Sequence, residues 1–147
     1  MTFGGLIESL GERLGVEIED AGGAAAVEID DAVVILQDAG ALLLLRAEVG
    51  ELPEEGREAL LAAAMRANFL YQGTGGSTLA LDPNVGRLVI QKYNWLERLD
   101  PETAFAMLER FADTAAAWRR ILADFRPDAG QTEASAAPIG AEPLIQV

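Results

Sequence analysis

Carboxylates are the commonest reactive groups in this 147-residue sequence, which carries 24 aspartates and glutamates, 11 lysines and arginines, and a formal charge of −13. Glu17, Glu19, Asp20, Glu28, Asp30 and Asp31 lie close enough in sequence to suggest a calcium site or an acid pair. A calcium loop, however, needs alternating oxygen ligands, a glycine at the turn and a distal glutamate, and that spacing is missing. A glycosidase pair needs two carboxylates facing each other across a cleft, for which short loops leave little room. These residues read instead as solvated strand faces and turns. Histidine and cysteine are both absent, so no Ser–His or Cys–His arrangement and no zinc–thiolate site can form. Lys92, the only lysine, falls in a strand without a visible catalytic partner. The run Gly73-Thr74-Gly75-Gly76-Ser77-Thr78 has the look of a phosphate loop, but it lacks the lysine. It also runs from helix into strand, the reverse of the order that puts phosphate on a helix N-terminus. It reads as a helix stop followed by a flexible turn. The expectation is a protein that is not an enzyme and has no metal or cofactor.

The sign of the charge narrows the partners. Residues 1–60 hold 14 acidic and 3 basic side chains, whereas 61–147 hold 10 and 8. A nucleic-acid binder needs cations to displace counterions from phosphates, so nucleic acid and anionic membrane are poor partners. The longest apolar run, Ala41 to Leu45, is far too short to span a bilayer. No charged-then-apolar signal segment opens the sequence, and a soluble, cytoplasmic protein is expected.

The elements that must position any site follow from periodicity. Phe3, Leu6, Ile7, Leu10 and Leu14 recur at helical spacing, with Thr2 as N-cap and Gly15 as stop. Four short strands are expected next: Val16–Glu19, Val27–Asp30, Val33–Gln37 and Leu42–Val49, joined by turns short enough for antiparallel hairpins. The run Leu42-Leu43-Leu44-Leu45 suggests a strand covered on both faces. Leu52-Pro53-Glu54-Glu55 reads as the start of a second helix that continues through Leu60, Leu61, Ala64, Asn68 and Phe69. A second hairpin, Thr78–Leu81 with Arg87–Trp95, precedes a long helix capped at Asp100-Pro101-Glu102. Phe105, Leu108, Phe111, Ala115, Trp118, Leu122 and Phe125 form that helix's buried stripe. The order α-β-β-β-β-α-β-β-α gives an α+β fold, an antiparallel twisted sheet packed with three helices. The domain is expected over 1–126 and a flexible tail over 127–147, where prolines and small polar residues replace the pattern. Pro143-Leu144-Ile145-Gln146-Val147 at its end is apolar enough to dock.

This arrangement resembles the type III secretion chaperones of the Tir-chaperone (CesT-like) family over roughly residues 3–125. The resemblance lies in the opening helix with Leu10-Gly11 and Leu14-Gly15, and in the strand turning at Ile29-Asp30-Asp31. It continues through Leu43-Leu44-Leu45-Arg46-Ala47, Leu52-Pro53, Leu60-Leu61, Ala67-Asn68-Phe69, Leu79-Ala80-Leu81-Asp82 and Leu88-Val89-Ile90. Leu99-Asp100 and the Phe105–Trp118 helix close it. The "leucine-leucine … alanine-asparagine" helix, followed by the glycine loop and "leucine-x-leucine-aspartate", is its most telling element. The resemblance implies a homodimer with Leu60, Leu61, Ala64, Asn68, Leu88, Ile90 and Tyr93 near the two-fold interface. It also implies that an effector's unfolded N-terminal chaperone-binding segment is held extended. Leu6, Leu10, Leu14, Val27, Ile29, Val33 and Ile35 are the residues expected to contribute to its grooves. Strand addition to a sheet edge supplies main-chain hydrogen bonds whatever the sequence, and apolar pockets select alternate side chains. The alternative is a regulatory or adaptor domain of the same fold that binds a folded partner.

Overall fold

The computed structural model describes residues 1–127. The chain runs α1 (Phe3–Leu14), β1 (Ala24–Ile29), β2 (Ala32–Ala39), β3 (Leu42–Glu51), α2 (Arg57–Asn68), β4 (Thr78–Asp82), β5 (Arg87–Trp95) and α3 (Pro101–Asp124). Single 3₁₀ turns follow α2 at Phe69–Tyr71 and β5 at Leu96–Arg98. The strands form one antiparallel sheet in the order β1-β2-β3-β5-β4. This is the α+β architecture expected, with one strand fewer. The tail expected over 127–147 lies, from residue 128 on, outside the described residues.

The helix signals act where the sequence places them. Thr2 Oγ1 accepts the N–H of Gly5 at 3.1 Å, and Gly15 closes α1 with φ +68°. Asp100 caps α3 by accepting the N–H of Thr103 at 2.8 Å, a bond that lowers the Asp100 pKa. The β1–β2 turn is made by Asp30 and Asp31, both at positive φ (46° and 66°), which aspartate tolerates better than most residues and which suits a two-residue hairpin.

Two expectations fail for local reasons. Val16–Glu19 alternates like a strand but forms none. Its backbone is drawn back onto α1 instead, because the Val16 N–H donates to the Gly11 carbonyl at 3.0 Å. A Cβ on Gly11 would stand 2.8 Å from the Val16 carbonyl oxygen, so this glycine makes room for the returning chain. Likewise α2 starts at Arg57 rather than at Leu52-Pro53. Gly56 at φ +75° interrupts the run, and a side chain there would strike Phe125 and Pro127.

The chain packs as two compact units, one of Met1–Ala47 with Gln91–Asp113, the other of Glu48–Ile90 with the chain from Thr114 on. In the first unit, Phe3, Leu6, Ile7 and Leu10 of α1, the inward rows of β1–β3, and Met107, Leu108 and Phe111 of α3 are buried. Arg13 lies over the half-buried Phe105 ring at 4.2 Å. In the second unit, Leu60, Ala64, Ala67, Leu79, Leu88, Ile90, Ala115 and Trp118 are buried.

Candidate functional site

In the first unit the register fixes which side chains share a face. Ala26 pairs with Ile35, Ile35 with Arg46, Glu28 with Val33, Ala24 with Gln37, and Gln37 with Leu44. These residues line the outer face of β1–β3. The inner rows Val27–Val34 and Ala25–Leu36–Leu45 are all buried. Along the outer face Val33 is 46% exposed, and Ile35, Leu42 and Leu44 are half-buried. The leucine run of β3 is therefore covered fully on one side only, where cover on both was expected. Tyr93 and Trp95, two residues apart on β5, are also exposed.

The seven residues expected to line effector grooves consequently divide. Leu6, Leu10, Val27 and Ile29 are core, none more than 6% exposed, and offer no contact surface in the single chain. Val33, Ile35 and the half-buried Leu14 remain accessible. Alternation alone could not tell which strand face points inward, because both faces of β2 are apolar.

The ends of the sheet differ. At β4 the Asn68 side chain behaves like an extra strand residue, accepting the Leu79 N–H at 2.8 Å and donating to the Leu79 carbonyl at 3.0 Å. That bond pair gives the alanine-asparagine and leucine-x-leucine-aspartate motifs their physical link. Asn68 was expected at a dimer interface, and it acts here as an edge cap. β1 has no neighbouring strand on its outer side among the described residues.

The second unit presents a different apolar surface. Leu60, Ala64 and Ala67 face the core, whereas Leu61 is half-buried, Met65 is 74% exposed and Phe69 66% exposed. Thus α2 carries two apolar stripes. Its outer one borders a groove of about 1050 Å³ lined by Gly56, Ala59, Leu61, Ala62, Met65 and Pro127. Leu88 and Ile90, also expected at the interface, are buried in this chain.

Beyond Phe69 the backbone is strained, with Leu70 at φ +52° and Tyr71 at φ +58°. Each left-handed non-glycine residue costs roughly 1–2 kcal/mol. The surrounding bonds hold it there. The Gly73 N–H reaches the Ala67 carbonyl at 3.0 Å, Trp118 Nε1–H donates to the Gly73 carbonyl at 2.9 Å, and Thr74 Oγ1 bonds the Ser77 carbonyl. The glycine run expected to be a flexible turn is thus packed, with Thr74 and Ser77 buried. The result is that Phe69 and Tyr71 stand exposed on a fixed support.

Charged groups are sparse on these surfaces. Arg87 bridges Glu48 and Glu51, and its bond to Glu48 raises its pKa. Burial, and then the charge of Arg110, hold the Lys92 ammonium below its ordinary range. No helix among the described residues is long and apolar enough to cross a membrane. Among these residues there is also no group of three or more Asp or Glu placed to hold a metal ion.

Comparison with known proteins adds to this geometry. The model of the Tir chaperone protein (CesT) family matches residues 5–119. No curated protein sequence matches. The fold is similar to the HopA1–SchA chaperone–effector complex, with TM-score 0.62 and 21% identity over 84% of this chain and 94% of the other. It is similar to the Yersinia pestis type III secretion chaperone SycH, solved with a fragment of YscM2, at TM-score 0.63 and 24% identity over 80% and 99%. The ExsC–ExsE complex gives TM-score 0.64 and 24% identity over 80% and 90%.

Proposed function

The chain belongs to the Tir chaperone protein (CesT) family, and on that premise we propose that it is a cytoplasmic type III secretion chaperone without enzymatic activity. Its role is to hold the unfolded N-terminal segment of a cognate secreted effector in extended form, keeping that protein soluble and ready for export. The observation that carries this reading is the outer sheet face of the first unit, where Val33 and Ile35 of β2 lie beside the edge strand β1 and Leu42 and Leu44 of β3 continue the apolar surface. An extended chain added there gains main-chain hydrogen bonds and apolar contacts together. No reacting group is required.

The second unit supports self-association. An antiparallel pairing of α2 with α2 of a second copy, centred on Ala62, places Met65 of each copy over Ala59 of the other. It also sets Glu58 beside Arg66 twice. Exposed Phe69 and Tyr71 extend the same surface. The contact residues are then Leu61, Ala62, Met65, Phe69 and Tyr71, while Leu60, Ala64, Leu88 and Ile90 support them from the core.

Two experiments test the proposal. Co-purification with proteins encoded beside this chain, followed by limited proteolysis, is expected to leave one short N-terminal fragment protected. If a folded partner domain is protected instead, the chain is an adaptor. Sedimentation of Ala62→Glu is expected to show a folded monomer, whereas an unaltered dimer places the interface elsewhere. The buried Ala64 is unsuitable for this purpose, because a charge there damages the fold itself.

A further inference from the structure

We infer that the segment received at the β1 edge is cationic, with a lysine or arginine at the outward position beside Glu28 and apolar residues on its inward side chains. The inference rests on the strand-addition reading above and specifies its ligand. Between Arg13 and Arg46 the sequence contains no lysine or arginine, and it carries Glu17, Glu19, Asp20, Glu28, Asp30, Asp31 and Asp38; Arg46 itself lies on the outer face of β3 opposite Ile35. All seven are outside the core. Edge strands are commonly guarded by a lysine or proline that discourages pairing, and β1, Ala24-Ala25-Ala26-Val27-Glu28-Ile29, has neither. Its one charge, Glu28, is exposed on the outer face, with Asp30 and Asp31 just beyond in the turn.

The register also says where each side chain of an added strand goes. Inward ones continue the buried row Ala25, Val27, Ile29 and must be apolar. Outward ones lie beside Ala24, Ala26 and Glu28. Ala24 and Ala26 are small, so a long outward side chain beside Ala26 lies toward its partner Ile35, beyond which stands the exposed Arg46, and this position carries no preference for a cation. The next outward position stands beside Glu28, with the turn aspartates past it. An acidic side chain there meets like charges, and a cation is favoured. At that position the hydrocarbon stem of lysine or arginine lies toward Val33, the partner of Glu28, while its head reaches the Glu28 carboxylate.

The test measures binding of the full chain to three blocked octapeptides in which valine alternates with lysine, glutamine or glutamate. The lysine peptide is expected to bind tightest and the glutamate peptide weakest. Each charge pair contributes about a two- to fivefold step, with the preference shrinking at high salt. Replacing Glu28→Gln, Asp30→Asn and Asp31→Asn together is expected to flatten the series without changing the circular dichroism spectrum, because asparagine also tolerates positive φ. Equal affinity for the three peptides, or a preference that survives the triple substitution, overturns the cationic assignment and leaves strand addition standing. Failure of every peptide to bind overturns both.

Discussion

At the β4 end of the sheet, the Leu79 N–H and carbonyl are both satisfied by the side chain of Asn68, and the loop beyond Asn68 is pinned by Gly73 and Trp118. At the β1 end no neighbouring strand is present among the described residues, and Ala24, Ala26, Glu28 and an aspartate turn lie on the outer face. Both ends are short strands that would ordinarily invite another chain. One is closed by a side chain of its own unit, and the other has no neighbouring strand among the described residues. A protein that holds another polypeptide extended needs one open edge, and a second would invite unwanted pairing. The comparison teaches that the two ends of one sheet differ in whether a side chain occupies the edge.

The largest effect should come from the finished end. Trp118→Ala removes a buried ring and leaves the Gly73 carbonyl unpaired, at a cost of about 3–5 kcal/mol in denaturant unfolding. Asn68→Ala strands the two main-chain groups of Leu79, which is only 5% exposed, and should cost about 1–3 kcal/mol. If the comparison is right, this variant also acquires a second open edge and self-associates in light scattering. Gly11→Ala sets about 1 kcal/mol of helix propensity against overpacking of about 1–3 kcal/mol where the returning chain touches α1. A net loss of thermal stability is expected, and a gain would show that the contact yields easily. Val33→Gln, an uncharged polar residue opposite Glu28 at an exposed site, should cost no more than about 1 kcal/mol of stability. Its effect should appear in partner binding, weakened at least severalfold. The smallest effect concerns pH. The folded-state pKa of Asp100 is lowered, so its cap stabilises α3 above the unfolded-state pKa and is lost as pH falls through the folded one. Asp100→Asn should therefore flatten a slight acid-side slope in melting temperature.

How far the sequence foretells this molecule depends on whether a feature is local. Thr2, Gly15 and Asp100 set helix ends through bonds within three or four residues, and the Asp30-Asp31 turn needs only its own two dihedrals. Those were legible. Val16–Glu19 was not, because its alternation is overruled by contact with Gly11. Gly56 delays α2 through its approach to Phe125 and Pro127, far along the chain. The site residues show the same limit. Of the residues the resemblance implied for the grooves, Val33 and Ile35 are accessible, whereas Leu6, Leu10, Val27 and Ile29 answer to the same apolar pattern and belong to the core. The exposure of Met65, Phe69 and Tyr71 was not foreseen, although α2 carries more apolar residues than one buried stripe can use, and that surplus was the available signal.

Amide hydrogen exchange on the full chain, with and without its co-purified effector segment, tests the central claim most directly. The account predicts that exchange slows along Ala24–Ile29 while Thr78–Asp82 keeps its rate. Protection that appears at Thr78–Asp82 and leaves Ala24–Ile29 unaltered would contradict it.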